Sequence, residues 1–407
     1  MTALEALPAR RIVRAIADAA QRWGDADFPP RVRALDAIIA RTGYSMPVVE
    51  YALDRLFESI SHEALLAVIA DELGCLEALD GFAERPGRPR ARAFPVGRVA
   101  IVSSRTTIGV AIVPAVFALC SKNDVVVKDR QDRLVAAFFE TLGQEDEVFA
   151  RAARAQGWNG ADATTTLDDF EAVVAFGSDE TLAEIRRRCA PDARFVGFGS
   201  KASAGYVARE ALADAAHATS IARGAARDLI LYDTQGCLSL HVLFVERGGA
   251  VTPERFGAML AAAVEHASVE FPLGARDDHA SARLGSARAM AAFRAAAGEG
   301  TAFSDDAGTY LLALDPPRAQ APFFSPRALT IHAVDHPGEA AAYLDAHGIA
   351  LEALAADGTR QDIVNMAAAA GAARIARFGD LQAPLLTANH GGRLRIGDFV
   401  DWITDET

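Results

Sequence analysis

The sequence is poor in cysteine and has no excess of basic side chains. Lys and Arg number 41 against 54 Asp and Glu, a formal net charge of −13, which argues against nucleic acid or an anionic membrane surface as partner. The cysteines form no CxxC pair, so their spacing indicates neither a zinc site nor a disulfide framework. This usage fits a reduced, cytosolic setting, and the four residues are Cys75, Cys120, Cys189 and Cys237.

Long apolar runs are absent as well. The longest, residues 108–120, contains Pro114 and is shorter than the ~20 residues that a bilayer-spanning helix needs. The N-terminal sequence MTALEALPARRIVRAI has neither an apolar core nor a small-residue cleavage site, so no signal peptide is predicted. We therefore predict a soluble, cytoplasmic protein without a membrane span.

The chain does contain enough apolar residues to build two or three domains. Of its 407 residues, 51% are hydrophobic and 23% are charged, which is ordinary for globular proteins. From residue 1 to about residue 80, apolar positions recur every three or four residues, which predicts helices. The segment 84–95 is rich in Pro, Gly and Arg, and we expect it to be a linker.

Beyond residue 95, short apolar runs alternate with stretches of helical spacing, a pattern typical of βαβ units on a parallel sheet. The predicted strands are VAIVSS (99–104), DVVVKD (124–129), EAVVAF (171–176) and RFVGF (194–198). Such sheets bind ligands at the carboxyl ends of their strands. A second alternating stretch begins near Leu231, with predicted strands at 240–246, 309–314, 328–334 and 372–377 and predicted helices at 253–266 and 337–347.

These patterns predict an α/β protein with two α/β domains and a helical N-terminal lead-in. The boundary between the two α/β domains is expected near Cys237, which would place that residue where the domains face each other, a common position for ligands. The expected division is residues 1–90 for the helical lead-in, 91–230 for the first α/β domain, 231–385 for the second, and 386–407 for a closing segment.

The segment LYDTQGCLSLH, residues 231–241, contains the most reactive candidate side chain. Gly236 lets the backbone approach a ligand or adopt a positive φ, and Cys237 follows it in a sterically open position between a polar turn and an apolar strand. A cysteine thiolate is a strong nucleophile that needs little activation near neutral pH. The pattern alone leaves two interpretations open, a covalent nucleophile or a small buried apolar side chain.

Five segments, taken in order and spacing, carry a family resemblance over nearly the whole chain. YDTQGCLSLH is similar to a nucleophile segment, DVVVKDR (124–130) to a strand whose lysine holds an adenine ribose, and AFGSDETLAEI (175–185) to a turn under a pyrophosphate. LQAPLLTANHGGRLRIGDFVDW is similar to a closing segment and GYSMPVVEYALDRL to an N-terminal lead-in. Together they resemble the acyl-CoA reductases of the bacterial-luminescence (fatty acid reductase) type, a branch of the aldehyde dehydrogenase superfamily.

The resemblance implies an aldehyde-dehydrogenase-like fold and NADPH-dependent reduction of a fatty acyl-CoA or acyl-protein thioester to an aldehyde. Cys237 would attack the acyl carbonyl, CoA would leave, and hydride from NADPH would lead to the free aldehyde. The resemblance also implies a homo-oligomer and an acyl-protein synthetase as the source of acyl groups, and it implies no metal. The implied cofactor-binding residues, in the first α/β domain, are Ser103, Ser104, Lys128, Arg130, Gly177, Ser178 and Gly199.

Several of these positions also have a plain physical interpretation. Lys128 ends an apolar strand, where its ammonium group could reach a ribose hydroxyl or 2′-phosphate, or simply remain hydrated. Arg130 could pair with a 2′-phosphate in a bidentate manner, which favours NADPH over NADH. Gly177 and Ser178 precede a helix whose free N–H groups could bind phosphate, although Ser178 could equally be an ordinary N-cap.

Three other polar residues lie near these segments. His241 is four residues from Cys237, which is about 13 Å along an extended strand and too far for a hydrogen bond. We therefore expect His241 to be a packed or surface histidine, and we interpret Asp233 as a turn residue. His390 precedes two glycines that permit a tight turn, and we expect a structural role for it.

The sequence departs from the aldehyde dehydrogenase pattern at three places. Gly197 replaces the glutamate that activates water in oxidising members, and without that base the acyl-enzyme should react with a thiol rather than with water. The segment SSRTTIGVAIV lacks the oxyanion asparagine, so one of residues 104–106 or the Cys237 N–H would have to donate. The segment PFFSP, residues 322–326, lacks the glutamate that contacts the nicotinamide ribose.

Three alternative functions stay open at this point. A non-acylating aldehyde dehydrogenase would hydrolyse its acyl-enzyme and would not need CoA. A non-catalytic binding or scaffold homologue would account for the missing asparagine and glutamate. A cysteine hydrolase or acyltransferase would show no dependence on a nicotinamide cofactor.

Overall fold

The computed structural model describes residues 2–104, 107–129, 133–157, 167–316, 321–358 and 360–407. The helices in this part of the chain are α1 (Ala9–Trp23), α2 (Pro29–Thr42), α3 (Met46–Ser59), α4 (His62–Leu73), α5 (Ile112–Cys120), α6 (Leu134–Glu145), α7 (Phe149–Ala152), α8 (Asp179–Arg187), α9 (Ala215–Ile230), α10 (Pro253–Glu270), α11 (Asp278–Ala296), α12 (Pro337–Ala346) and α13 (Gln361–Ala369).

The strands are β1 (Ala83–Arg85), β2 (Arg88–Pro95), β3 (Arg98–Val102), β4 (Asp124–Lys128), β5 (Ala153–Gln156), β6 (Ala172–Phe176), β7 (Arg194–Phe198), β8 (Ala202–Val207), β9 (Leu240–Glu246), β10 (Thr301–Phe303), β11 (Leu311–Leu314), β12 (Ala328–Val334), β13 (Leu351–Ala356), β14 (Arg374–Ala376) and β15 (Val400–Thr404). They form three sheets of three, five and seven strands.

The chain divides into two compact units. The first consists of Met1–Thr42, Val49–Ser200 and Leu385–Thr407, and the second of Gly43–Val48 and Lys201–Pro384. The sequence-based boundary near residue 231 lies inside the second unit, between α9 and β9.

The N-terminal region is helical, as the spacing of its apolar residues predicts. The last residue of α1, Trp23, is fully buried; its ring stacks on Phe57 with centroids 4.9 Å apart. The Trp23 indole N–H donates to the Thr141 hydroxyl at 3.1 Å, which satisfies its polar atom inside the core. Within the described residues, no helix combines the length and the hydrophobicity that a membrane span requires.

The five-stranded sheet of the first unit is entirely parallel, with the order β5-β4-β3-β6-β7. The chain begins at the central strand β3, runs outward through β4 and β5, and then crosses over to β6 and β7. This reversal between β3 and β6 opens a crevice at the carboxyl ends of the strands, where such sheets bind ligands. The strands predicted at 99–104, 124–129, 171–176 and 194–198 are confirmed as β3, β4, β6 and β7.

The expectation of a linker over residues 84–95 is wrong, because most of this segment is the strand β2. β2 pairs in antiparallel fashion with β1 on one side and β15 on the other. Ala91 and Ala93 are buried and alternate with arginines, which is the period-two pattern of a half-buried strand. The arginines mask this pattern, although Arg92 itself lies over the Phe94 ring at 4.4 Å.

The seven-stranded sheet of the second unit has the order β10-β11-β12-β9-β8-β13-β14, and only β10 runs antiparallel to its neighbour among these strands. Tyr206, Phe244, Tyr343 and Met366 belong to the buried apolar cluster formed by the sheet and the helices α12 and α13. The predicted strands at 240–246 and 328–334 and the predicted helices near 253 and 337 are confirmed. The sequence patterns predict no strand at β8 or β13.

Candidate active site

The carboxyl edge of the first sheet gathers three of the predicted cofactor-binding residues. Lys128 ends β4, and the backbone N–H of Ser103, which follows β3, donates to the Lys128 carbonyl at 3.2 Å. The Ser103 hydroxyl donates to the carbonyl of Ser104 at 3.2 Å. Ser103 and Lys128 are both buried, with relative exposures of 1% and 6%. Ser103, Ser104 and Lys128 therefore lie at the carboxyl ends of the neighbouring strands β3 and β4.

Gly177, Ser178 and Gly199 lie at the same edge, after β6 and β7. The Gly177 N–H donates to the Phe198 carbonyl at 3.2 Å, and the Ser178 hydroxyl caps α8 by accepting from the Thr181 N–H at 3.3 Å. At Gly199 a Cβ atom would collide with the carboxylate of Asp179, which accepts a hydrogen bond from the next backbone N–H. The close approach of this carboxylate therefore requires a glycine at position 199.

The charges at this edge are mixed. Asp179 and Glu180 occupy the first turn of α8, where anionic side chains compete with a phosphate for the helix N-terminus. A hydrogen bond from the Ser178 hydroxyl lowers the pKa of Glu180, so this side chain stays anionic at neutral pH. Lys128 supplies positive charge nearby, whereas Arg130 lies outside the described residues.

In the second unit, the candidate nucleophile follows a turn of unusual backbone conformation. After α9 ends, Tyr232, Asp233 and Thr234 have φ angles of +58°, +47° and +59°. Three consecutive non-glycine residues in the left-handed region are costly, at about 1–2 kcal/mol each. Contacts elsewhere in the unit must therefore hold this turn, which lies directly before Gly236 and Cys237.

A buried ion pair supplies those contacts. Arg327 is fully buried, and its Nε donates to the Asp233 carboxylate at 2.7 Å while its Nη2 donates to the Phe271 carbonyl at 2.8 Å. The other Asp233 oxygen accepts from the Gly274 N–H at 3.2 Å. The Thr234 hydroxyl oxygen accepts from the Arg327 N–H at 3.1 Å. Asp233 is thus confirmed as a turn residue, but its buried partner Arg327 was not identified from the sequence.

The segment that carries Cys237 is fixed by two hydroxyl groups, one on β8 and one directly before β9. The Ser203 hydroxyl, on β8, donates to the Cys237 carbonyl at 2.8 Å. The Ser239 hydroxyl oxygen accepts from the Gly236 N–H at 3.3 Å and from the Gln382 side-chain amide at 2.8 Å. The backbone around the thiol is therefore held on both sides.

His241 is a packed histidine, as expected. It is 6% exposed, and its Nε2 donates to the Gly236 carbonyl at 3.2 Å. Burial lowers the pKa of His241 to about 4, so the ring is neutral near pH 7. Its other nitrogen, Nδ1, is buried without a hydrogen-bond partner among the described residues. His241 therefore positions the turn before Cys237 rather than taking its proton.

The Cys237 side chain is half-buried, less open than the sequence suggests. Burial first, and then the negative charge of Glu352, raise the pKa of Cys237 to about 11, while Lys201 and the N–H groups of Cys237 and Leu238 oppose this shift. At pH 7 such a thiol is ionised in only about one molecule in ten thousand. Sequence reasoning identified the thiol but neither of the charged side chains, Lys201 and Glu352, that act on it.

His390 has the structural role expected for it. Its ring stacks on Phe198 with centroids 4.2 Å apart and an interplanar angle of 15°, and Phe198 stacks in turn on Phe176. These rings line a small cavity in the first unit, of about 30 Å³, together with Leu394 and Phe399. That volume holds about one water molecule, so this conformation leaves no room there for a larger ligand.

Two departures from the aldehyde dehydrogenase pattern can be followed in the structure. A Cβ at Gly197 would lie 3.0 Å from the Phe195 ring and 3.2 Å from the Leu182 methyl, so a glutamate would not fit here without displacing them. In the segment 322–326, Phe324 is 52% exposed and its ring lies 5.2 Å from that of His241. The candidate oxyanion donors at residues 105 and 106 lie outside the described residues.

Several solved structures of aldehyde dehydrogenases are similar to this chain in fold. Aldehyde dehydrogenase 21 from Physcomitrella patens matches with a TM-score of 0.72 and 14% identity, over 98% of this chain and 86% of that one. An NAD-dependent benzaldehyde dehydrogenase from Corynebacterium glutamicum matches with a TM-score of 0.69 and 16% identity, over 99% and 86%. The glyceraldehyde-3-phosphate dehydrogenase GapN from Methanocaldococcus jannaschii, solved with NADP, matches with a TM-score of 0.69 and 12% identity, over 99% and 90%.

At these identities the likeness defines the fold, and the protein has the aldehyde dehydrogenase fold. The sequence model of the acyl-CoA reductase (LuxC) family matches residues 4–402. The chain belongs to the acyl-CoA reductase (LuxC) family, and it is an oxidoreductase. No curated protein matches the sequence significantly.

Replacing Arg327 by Met should lower the free energy of unfolding by about 3–5 kcal/mol, because the Asp233 carboxylate would remain as a buried charge without its partner. Urea unfolding followed by far-UV circular dichroism measures this loss. Arg247→Met is the matched control, since Arg247 pairs with Asp335 at 3.0 Å where both side chains are about half exposed or more. The control should lose less than about 1 kcal/mol, and equal losses in the two variants would show that the buried pair does not support the turn.

Proposed function

We propose that this protein reduces a fatty acyl thioester to an aldehyde with NADPH, through an acyl-enzyme on Cys237. The proposal assigns cofactor binding to the first α/β unit and the nucleophile to the second. What supports it above all is that a member of the acyl-CoA reductase family carries a cysteine on a turn that a buried ion pair and two hydroxyl groups hold in place.

In the first step, the Cys237 sulfur attacks the acyl carbonyl carbon and CoA leaves as a thiol. The backbone N–H groups of Cys237 and Leu238 lower the pKa of the Cys237 thiol and so favour its anionic form. The same N–H groups are the natural donors to the oxyanion that forms as the carbonyl carbon becomes tetrahedral. They take the place of the asparagine that the sequence lacks.

The second step is reductive. A bound nicotinamide cofactor would supply the hydride that reduces the thioester carbon of the acyl-enzyme, and the resulting thiohemiacetal on Cys237 would collapse to the aldehyde and the free thiolate. The chain contributes by binding the cofactor at the carboxyl edge of β3, β4 and β6, through Ser103, Ser104 and Lys128. Because Gly197 offers no carboxylate to activate water, the acyl-enzyme persists until it is reduced or returned to CoA.

The proposed preference for NADPH over NADH rests on two cations. Lys128 ends β4 at the edge where the adenosine half of a dinucleotide binds in sheets of this order, and Arg130 follows two residues later in the sequence. A 2′-phosphate carries close to two negative charges, so an ammonium and a guanidinium group favour it over a ribose hydroxyl.

A homo-oligomer is also part of the proposal. β15 lies at the edge of the three-stranded sheet, and its Trp402 and Ile403 are 36% and 52% exposed. Exposed edge strands with apolar side chains are commonly covered by another chain, and a second copy is the commonest partner. An acyl-protein synthetase remains the expected source of the acyl group.

Replacing Cys237 by Ala should abolish NADPH consumption in the presence of a long-chain acyl-CoA, because no thioester can form on the enzyme. The loss of absorbance of NADPH at 340 nm measures the rate, and mass spectrometry of the wild type incubated with acyl-CoA alone should show the acyl group on the Cys237 peptide. Cys75→Ala is the matched control, since Cys75 is also half-buried but lies in the first unit.

Equal rates in wild type and Cys237→Ala would contradict the acyl-enzyme mechanism. Release of free acid without NADPH would instead indicate a cysteine hydrolase. Reduction of NADP⁺ by an aldehyde in the complete absence of CoA would indicate a non-acylating aldehyde dehydrogenase.

Replacing Lys128 by Met should raise the KM for NADPH by roughly tenfold to a hundredfold, because a charge-assisted hydrogen bond contributes about 1.5–3 kcal/mol. Initial rates at varied NADPH and saturating acyl-CoA measure the change, and kcat should fall less than KM rises. Arg154→Met is the control: it removes an exposed cation from the neighbouring strand β5, away from the carboxyl end of β4. A KM for Lys128→Met within twofold of the control would remove Lys128 from the cofactor site.

A further inference from the structure

Four residues that can carry charge lie along one edge of the seven-stranded sheet. The strands β9, β8, β13 and β14 are neighbours in that order and all run parallel, so their amino ends share an edge. Lys201 directly precedes β8, Glu352 is the second residue of β13, and Arg374 is the first of β14. Cys237 lies three residues before β9. Along this edge the order is thiol, cation, anion, cation.

An ion pair, strand pairing and a hydrogen bond connect the members of this row. The Glu352 carboxylate is 3.4 Å from the Lys201 ammonium group, and its side chain is only 8% exposed. β13 and β8 pair with a register irregularity at Glu352, since Leu351 lies opposite Ala202 and Ala353 opposite Ser203. The Ser203 hydroxyl also donates to the Cys237 carbonyl at 2.8 Å. Cys237 therefore lies before β9, next to β8, the strand that Lys201 precedes.

The two cations of the row, Lys201 and Arg374, differ in conformational freedom. Arg374 is engaged with backbone carbonyls, donating to that of Asp380 at 3.2 Å and that of Leu381 at 2.5 Å. The Lys201 side chain is 28% exposed, and a lysine has four rotatable bonds along its stem. Lys201 can therefore change partner with little rearrangement, whereas Arg374 is fixed.

The remaining charged groups near this edge are accounted for by other partners. The Asp228 carboxylate, on α9, accepts from the N–H groups of Gly379 and Leu381. His241 on β9 is neutral and bound to the Gly236 carbonyl. Among the described residues, Lys201 and Glu352 are the charged side chains that act most directly on the Cys237 sulfur.

We propose that Lys201 is the counter-ion of the Cys237 thiolate and that Glu352 holds Lys201 away from the sulfur in the resting enzyme. The inference rests on the proposed function, since it describes how the same nucleophile is activated. The S–H bond breaks with the proton passing to solvent, and the Lys201 ammonium moves from the carboxylate to the sulfur. The thiolate then forms its bond to the acyl carbon, and the departing CoA thiolate takes a proton from solvent.

This arrangement also accounts for the raised pKa of the Cys237 thiol. With Lys201 paired to Glu352, the carboxylate adds to the effect of burial in raising the pKa of Cys237, and Lys201 offsets only part of it. Removing the carboxylate should therefore lower the pKa of Cys237, and removing the ammonium group should raise it. If the pair of Lys201 and Glu352 only stabilised the fold, removing its two members would not shift the pKa of Cys237 in opposite directions.

The test is the rate at which iodoacetamide alkylates Cys237, measured by peptide mass spectrometry from pH 6 to 11 in the intact chain carrying Cys75→Ala. At pH 7.5 we expect Glu352→Gln to be alkylated faster by on the order of tenfold and Lys201→Met more slowly by a similar factor, since each unit of pKa is tenfold in thiolate. Lys201→Arg keeps the charge and should react within a few-fold of the parent. Circular dichroism confirms that each variant is folded, and Lys201→Gln replaces any Lys201→Met that is not.

Shifts in the same direction for Glu352→Gln and Lys201→Met, or no shift in either, would overturn the inference. The alkylation contains neither acyl-CoA nor NADPH, so its outcome is independent of whether the protein is a reductase. NADPH consumption by Cys237→Ala would refute the proposed function and leave the alkylation result standing. Opposite shifts with unchanged NADPH turnover in both variants would also overturn the inference, because the counter-ion would then have no part in the reaction.

Discussion

The ion pair between Arg327 and Asp233 is the constraint on which the nucleophile's position depends. Three left-handed residues in succession after α9 are energetically unfavourable, because Tyr232, Asp233 and Thr234 all carry a Cβ that crowds the backbone in this conformation. The buried guanidinium of Arg327 holds the carboxylate of the middle residue, and the backbone N–H of Arg327 donates to the hydroxyl of the third. The turn therefore costs conformational energy that these contacts offset, and the chain emerges from it toward β8, where Ser203 fixes the Cys237 carbonyl. Removing Arg327 alone would leave the strain of the turn without these contacts and the Asp233 carboxylate as an uncompensated buried charge.

Much of the fold could be predicted from the sequence, because strands of a buried parallel sheet consist of short apolar runs. The strands with this composition are β3, β4, β6, β7, β9 and β12. The strands that escaped prediction have other compositions for physical reasons. β8 is ASAGYV, whose small residues permit close packing, such as that of the Phe378 ring against Gly205. β13 is LEALAA, which intrinsic propensity assigns to a helix, and only its place between β8 and β14 makes it a strand. β2 has arginine at alternate positions, and its partner β15 lies some 300 residues later in the sequence.

The residues of the candidate site also divide into those that the sequence predicts and those that it does not. Cys237, Ser103, Lys128 and Ser178 could be found because they occupy the ends of predicted elements and resemble family segments, although their roles remain proposals. Arg327, Lys201 and Glu352 could not, because what matters about each is a partner distant in sequence: Asp233 is 94 residues from Arg327. The position of Glu352 in particular follows from a register irregularity between β13 and β8. The sequence of neither strand predicts this irregularity. The spacing of apolar residues along the chain predicts helices and strands. Charge networks depend instead on which strands are neighbours in the folded sheet.

The absence of a glutamate at Gly197 and the presence of one at position 352 have to be considered together. A carboxylate beside an acyl-enzyme could activate water and turn a reductase into a hydrolase. Glu352 differs from such a base in two respects, since it is 8% exposed at its side chain and lies 3.4 Å from a lysine ammonium. The Glu352 carboxylate is therefore engaged by an ammonium group in this structure. In the proposed cycle the sulfur becomes neutral on acylation and Lys201 returns to Glu352, so this carboxylate is again ion-paired at the stage when water could attack the thioester. Lys201 would thus stabilise the thiolate before acylation and occupy the carboxylate after it.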